Sequence, residues 1–90
     1  MYYVYIFISE KDKRLYIGYT NDIKNRLLKH NSGFVRATKN RRPLKLIYCE
    51  TYINQGDAKR REKFLKGGKG RGELKIQLQN TFEKFKYLKR

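Results

Sequence analysis

The longest apolar stretch of the chain, Tyr2–Ile8 (YYVYIFI), consists of β-branched and aromatic residues without a polar break, which predicts a strand. A strand without polar alternation is usually covered on both faces, so this one is expected at the centre of a sheet. Ser9–Arg14 (SEKDKR) reads as a polar turn, and Leu15–Tyr19 (LYIGY) as a second strand with a glycine in its interior. Two strands joined by about six polar residues most simply form an antiparallel hairpin. Thr20, Asn21 and Asp22 offer cap oxygens for a helix whose apolar stripe holds Ile23 and Leu27. That helix runs to about Asn31, where Ser32-Gly33 ends it, and Phe34–Pro43 follows as a basic loop. Leu44–Tyr52 alternates and predicts a third strand. Asn54–Asp57 caps a second helix from about Ala58 to Lys66. Gly67, Gly68 and Gly70 are expected to break it before a short third helix over Glu73–Leu78. In the tail Thr81–Arg90, Phe82, Phe85 and Leu88 recur at helical spacing. The order β-β-α-β-α-α predicts a single three-stranded α/β (α+β) unit.

Ninety residues make one small domain, which buries only about 60–65% of its unfolded surface. With 23 Lys+Arg against 8 Asp+Glu the net charge is +15, and such an excess points to a polyanionic partner. A hydrophobic content of 39% with 8 Tyr and 5 Phe is enough for a packed core, which argues against disorder. One Cys, Cys49, excludes an internal disulfide and a Cys-cluster zinc site. One His, His30, excludes any mechanism that needs two. The apolar run falls far short of the ~20 residues of a spanning helix, and no basic stretch precedes it as in a signal peptide. No membrane association is therefore expected, and a reducing, cytoplasmic location is.

Three groups of residues carry candidate chemistry. The hairpin places Tyr5 and Tyr16 opposite each other or one diagonal step apart, so that both phenols share a face. Gly18 follows on that face, and an interior strand glycine often marks the close approach of another backbone or a ligand. On the first helix Asp22, Arg26 and His30 stand at i, i+4 and i+8, a stripe one position round from Ile23 and Leu27. Arg26 and His30 are thus expected near the boundary between core and solvent. On the second helix Glu62 falls about 40° from Ala58 on a wheel of ~100° per residue, bordering the apolar side. It is the only acid between Ala58 and Gly72, among seven Lys/Arg. A carboxylate there needs a cation, either Arg61 or Lys66 in a local salt bridge, or a metal. One carboxylate with substrate phosphate and waters is a normal Mg²⁺ arrangement. Phosphodiester hydrolysis, which needs an activated water and charge stabilisation at phosphorus, fits these residue types best. A phenol of pKa ≈ 10 would need nearby positive charge to act as base, and the chain has that charge in excess.

In these motifs the chain resembles the small single-domain members of the GIY-YIG nuclease family. Tyr3-Val4-Tyr5 corresponds to the first motif and Tyr16-Ile17-Gly18 to the second, with eleven residues from Tyr5 to Tyr16. Thr20–Asn31 supplies Arg26 and His30 where the family keeps an Arg and a His or Tyr, and Asp57–Lys66 supplies Glu62 where it keeps a metal-binding Glu. Tyr3 and Val4 stand in place of the family's Gly and Ile, and both preserve a strand. The resemblance implies a three-stranded antiparallel sheet flanked by helices, with a catalytic domain over 1–80 and a basic, aromatic tail over 81–90. It implies metal-dependent phosphodiester cleavage with Mg²⁺ or Mn²⁺. Glu62 would then be the metal ligand, Arg26 would stabilise the phosphate, and Tyr5 would be general base or water-positioner. Tyr16 and His30 would support or relay the proton, and Tyr5 and His30 both stay open as the base. Many members carry a late active-site Asn, for which Asn80 is the nearest candidate.

Two basic clusters suit nucleic acid, DNA more than RNA: Arg36, Lys39, Arg41, Arg42 and Lys45 in the loop, and Lys59, Arg60, Lys69 and Arg71 further on. Contacts of this kind follow the phosphate backbone and give little sequence selectivity. The alternatives are a non-catalytic basic nucleic-acid-binding module on the same scaffold, and a basic scaffold that docks on an acidic protein.

Overall fold

Tyr2–Ser9 forms β1, the central strand of an antiparallel sheet, in a computed structural model that describes residues 1–87. Its neighbours are β2 (Leu15–Thr20) and β3 (Leu44–Tyr52), in the order β2-β1-β3. The helices are α1 (Ile23–Asn31), α2 (Gln55–Lys66), α3 (Gly68–Gln77) and α4 (Gln79–Lys84). A 3₁₀ turn at Lys39–Arg41 interrupts the basic loop.

The two faces of β1 explain its unbroken apolar run. Val4, Ile6 and Ile8 join Leu15 and Ile17 against Ala58, Leu65, Leu74, Leu78 and Phe82 from the last three helices. Tyr5 and Phe7 point the other way, into a smaller cluster with Leu44 that Ile23 and Leu27 of α1 cover. Each fully buried side chain of this size contributes about 1.5–3 kcal/mol, so a polar residue on either face would be costly.

In the hairpin, Tyr5 pairs with Gly18 and Phe7 with Tyr16. Tyr16 is therefore one diagonal step from Tyr5, with ring centroids 6.4 Å apart. Asp22 caps α1 by accepting from the Asn25 amide at 3.1 Å, so it serves the helix end and not a pair with Arg26. Asn54 caps α2 through the Gly56 amide.

The glycine segment departs from expectation. Gly67 does end α2, but α3 begins at once at Gly68 and runs through Gly70 and Gly72. A Cβ at Gly70 would collide with the Phe64 carbonyl and the Leu65 backbone. The missing side chain lets the start of α3 press against the end of α2. Packing through Leu74 and Leu78 then outweighs the roughly 1 kcal/mol propensity cost of each helical glycine. In the tail, α4 crosses position 80, and Phe82 is buried in the same cluster as Val4 and Ile6. Tyr87 packs on Phe82 at 4.7 Å between centroids. Leu88, with residues 88–90, lies outside the described residues.

The basic loop is tied down at several points. Asn31 donates to the Leu44 carbonyl and accepts from its amide, at 3.0 and 2.8 Å. Ser9 donates to the Arg41 carbonyl, and Arg41 pairs with Asp12 at 2.8 Å while donating to the Leu15 carbonyl. These bonds fix the loop against the hairpin and bring Thr38 behind His30.

Candidate active site

Tyr5 is wholly buried in the body of the sheet. Its phenol lies over Gly18, where any Cβ would collide with the hydroxyl. The close approach that Gly18 permits is thus by the tyrosine of the neighbouring strand. From α1, Arg26 donates its Nε–H to Tyr5 Oη at 3.3 Å. One turn on, His30 Nε2 lies 3.3 Å from the same hydroxyl.

His30 is 0% exposed, so its placement at the core–solvent boundary is corrected. Aromatic rings form its socket: Phe7 and Tyr16 each meet the imidazole edge-on at 4.9 Å between centroids. On the far side, His30 Nδ1 lies 2.7 Å from Thr38 Oγ1, and Thr38 donates to the Val35 carbonyl at 3.4 Å. A carbonyl can only accept. With the Thr38 proton directed there, Oγ1 accepts from Nδ1–H, which leaves Nε2 unprotonated and facing Tyr5. This tautomer follows from directing the Thr38 proton to Val35; the opposite direction would put the proton on Nε2. Tyr5 can donate to Nε2 while its oxygen accepts from Arg26.

The electrostatics follow from burial. Desolvation, and then the Arg26 charge, lower the His30 pKa to about 4. The imidazole is therefore neutral at neutral pH. Desolvation raises the Tyr5 pKa above the usual phenol value, and the hydrogen bond and charge of Arg26 do not offset it. The expectation that excess positive charge would ready this phenol for deprotonation is corrected: one guanidinium reaches it, and burial outweighs that contact.

Glu62 lies at the rim. Its side chain is 21% exposed, and its carboxylate accepts from Lys66 Nζ at 3.2 Å. Its negative charge contributes a small raising effect to the Tyr5 phenol and the Arg26 guanidinium; its one side-chain partner among the described residues is Lys66. Arg61 turns away from it to Glu50 of β3, donating at 2.9 and 3.1 Å. Tyr48 and Tyr52 donate to the same carboxylate at 2.8 and 2.6 Å. Burial alone would raise the Glu50 carboxyl, but Arg61 and the two phenols hold it below its usual range. Among the described residues no group of three or more His, Cys, Asp or Glu side chains could hold a metal. Glu62 still fits a hard divalent cation. It is a single, largely buried carboxylate whose present partner, Lys66, is exposed enough to swing away, and Mg²⁺ commonly takes one or two carboxylates with substrate phosphate.

The basic residues divide. Arg36, Lys39, Arg42, Lys59, Arg60 and Lys69 are exposed. Arg41 is engaged by Asp12, and Arg71 donates to the Leu65 carbonyl at the end of α2. The geometry gives both a structural task in place of a free phosphate contact. Asn80 is exposed on α4. The Thr38 contact escaped the sequence reading because nothing in the spacing of a basic loop marks it. The Glu50 network did leave a signal: Tyr48, Glu50 and Tyr52 alternate along one strand and must share a face.

The family model of the GIY-YIG catalytic domain matches residues 1–86. A UPF0213 protein of Staphylococcus saprophyticus is 40% identical over 76 residues, covering 83% of this chain and 92% of the relative. One from Clostridium perfringens is 42% identical over 67 residues, covering 73% of this chain and 71% of the relative. One from Pediococcus acidilactici is 42% identical over 82 residues, covering 87% and 71%. No solved structure matches. Among the described residues no helix is long and apolar enough to cross a membrane.

Proposed function

The chain belongs to the GIY-YIG family, and from that premise we infer that it is a divalent-metal-dependent endonuclease that hydrolyses phosphodiester bonds, of DNA more than RNA, with little sequence selectivity. The observation that carries this reading is the buried Tyr5–His30 contact, which has Arg26 on the phenol oxygen.

Arg26 holds a phosphate oxygen in this reading, which its guanidinium donors beyond the one given to Tyr5 support. Tyr5 orients the attacking water, which has to reach the buried phenol past Arg26. As the water loses its proton to the phenol oxygen, the phenol passes its own proton to His30 Nε2, which is unprotonated and aligned. The resulting hydroxide forms the new P–O bond while the bond to the leaving oxygen breaks, and solvent supplies the proton that oxygen needs. A neutral imidazole can accept, whereas one already protonated could not. The cationic state is then stabilised by the negative charge gathering on the phosphate. Tyr16 closes the socket and holds the imidazole plane. Glu62 would hold Mg²⁺ or Mn²⁺, which when bound offsets charge on the phosphate and lowers the pKa of a bound water.

The exposed lysines and arginines supply non-selective backbone affinity that falls steeply with salt. The Lys66–Glu62 ion pair favours a second reading, a nucleic-acid-binding module without turnover. The two are separated by incubating the protein with single-stranded, flapped, branched and duplex substrates in Mg²⁺ or Mn²⁺. Metal-dependent nicking is expected, lost in Glu62→Gln and Arg26→Ala variants that keep the wild-type circular dichroism. Equal cutting by those variants would overturn the site assignment, and salt-sensitive binding without cutting on any substrate would favour the binding module.

A further inference from the structure

Just beyond α1 the chain turns through Gly33, whose φ is +84°, and Phe34 follows with 83% of its surface exposed. The Phe34 amide bonds the Lys29 carbonyl at 3.1 Å, so the backbone that presents this ring is anchored to the helix. The ring borders a groove of about 650 Å³ that also takes in Leu28, Lys29, Val35, Ser32 and Arg26, within the ~300–1,000 Å³ of ligand pockets. Leu28 is itself 66% exposed. Among the described residues that line the groove there is none with a carboxylate.

This groove selects a ligand by two independent properties. Arg26 and Lys29 favour an anion. Phe34 and Leu28 offer a flat apolar surface that contributes nothing to the core and needs a flat apolar partner. A nucleotide has both parts, and Arg26, shared with the Tyr5 site, lines the same groove as Phe34, so one nucleotide step can engage both. Bases in a duplex are paired and stacked inside the helix and present no free face. We propose that Phe34 is a stacking platform for an unpaired nucleobase next to the phosphate held at Arg26, which directs the site toward single-stranded or splayed nucleic acid. The proposal rests on the nuclease reading for the placement of that phosphate, and it names the substrate class the site takes.

Binding can be read without turnover. In metal-free buffer with EDTA, a single-stranded oligodeoxynucleotide carrying one 2-aminopurine is titrated with wild type, Phe34→Ala and Phe34→Trp, alongside a blunt duplex of the same length. Wild type is expected to quench the 2-aminopurine and to prefer the single strand. Phe34→Ala should weaken single-strand binding about tenfold or more, as loss of one base–aromatic stack does, with less than a twofold change on the duplex. Phe34→Trp should restore both affinity and quenching. No loss in Phe34→Ala, or an equal loss on both substrates, would overturn the platform. So would a wild-type dimer in sedimentation that Phe34→Ala dissolves, because the ring would then be covered by a second copy. The catalytic reading fails separately: if wild type binds through Phe34 yet never cuts in Mn²⁺, the chemistry falls and the platform stands.

Discussion

The Thr38 hydroxyl stands 2.7 Å from His30 Nδ1, behind an imidazole whose other nitrogen faces the Tyr5 phenol. A loop residue thereby decides which nitrogen of a helix residue is free to accept. In Thr38→Val the shape is kept and the acceptor is lost, so both tautomers become accessible. Cleavage should fall about tenfold or more, within the range of a general-base contribution, and Thr38→Ser should recover most of it. ¹⁵N NMR of His30 checks the cause: the variant should shift from one neutral tautomer toward a mixture. An unchanged spectrum would leave the hydroxyl without this role.

Gly18→Ala places a methyl where the Tyr5 hydroxyl sits. The ring has to move, and with it the hydroxyl that His30 and Arg26 bond. Overpacking of this kind costs about 1–3 kcal/mol, measurable by urea denaturation, and cleavage should drop further than stability predicts, since Tyr5 leaves both Arg26 and His30.

The His30 pKa, lowered to about 4 by burial and by Arg26, ties stability to pH. The unfolded chain protonates this ring near pH 6.5 and the folded chain only near 4, so between these values the unfolded state binds more protons. Stability should therefore rise as pH increases from about 4 to 6.5 and level off above it. The contribution is on the order of 3 kcal/mol from this group. Denaturant midpoints compared with His30→Gln across that range check it: the variant's slope should be flatter. Cleavage should likewise keep a flat profile near neutrality, with an acid limb well below the usual histidine range.

Lys66 competes with a cation for Glu62 at 3.2 Å. Removing it in Lys66→Ala should lower the Mn²⁺ concentration for half-maximal cleavage several-fold. A Mn²⁺ titration followed by paramagnetic broadening gives an independent readout, and identical titrations in the two proteins would remove Glu62 as the ligand.

Glu50 accepts from Arg61, Tyr48 and Tyr52 at once. Glu50→Ala leaves Tyr48, Tyr52 and Arg61 without this acceptor, and Arg61 keeps only the 3.9 Å contact with Glu73. Because the pair is partly exposed, with side chains 14% and 24% accessible, the expected loss is about 2 kcal/mol, below the 3–5 kcal/mol of a fully buried pair. Thermal unfolding measures it. The Tyr5–His30 contact stands on the opposite face of β1, so the His30 resonances should stay in place.

Much of this molecule was legible in the order of its residues. The unbroken run Tyr2–Ile8 forecast a strand covered on both sides, and the segments for α1, β3 and α2 followed from periodicity and cap residues. Hairpin and helix geometry put Tyr5 with Tyr16 and Arg26 with His30 on shared faces, and the family resemblance joined them with Glu62 as one candidate set. The glycines at 68 and 70 misled because their local preference for breaking a helix was overridden by the close contact of α3 with α2.

Local spacing thus determined the elements, the central strand and which side chains share a face, since these depend on periods of 2 and 3.6 residues. Only the tertiary structure decided that His30 is sealed from water, that Tyr5 is harder and not easier to ionise, and that Arg61 belongs to Glu50 while Lys66 holds Glu62. Each of those outcomes depends on desolvation and on partners distant along the chain, and neither is written in the spacing of a single element.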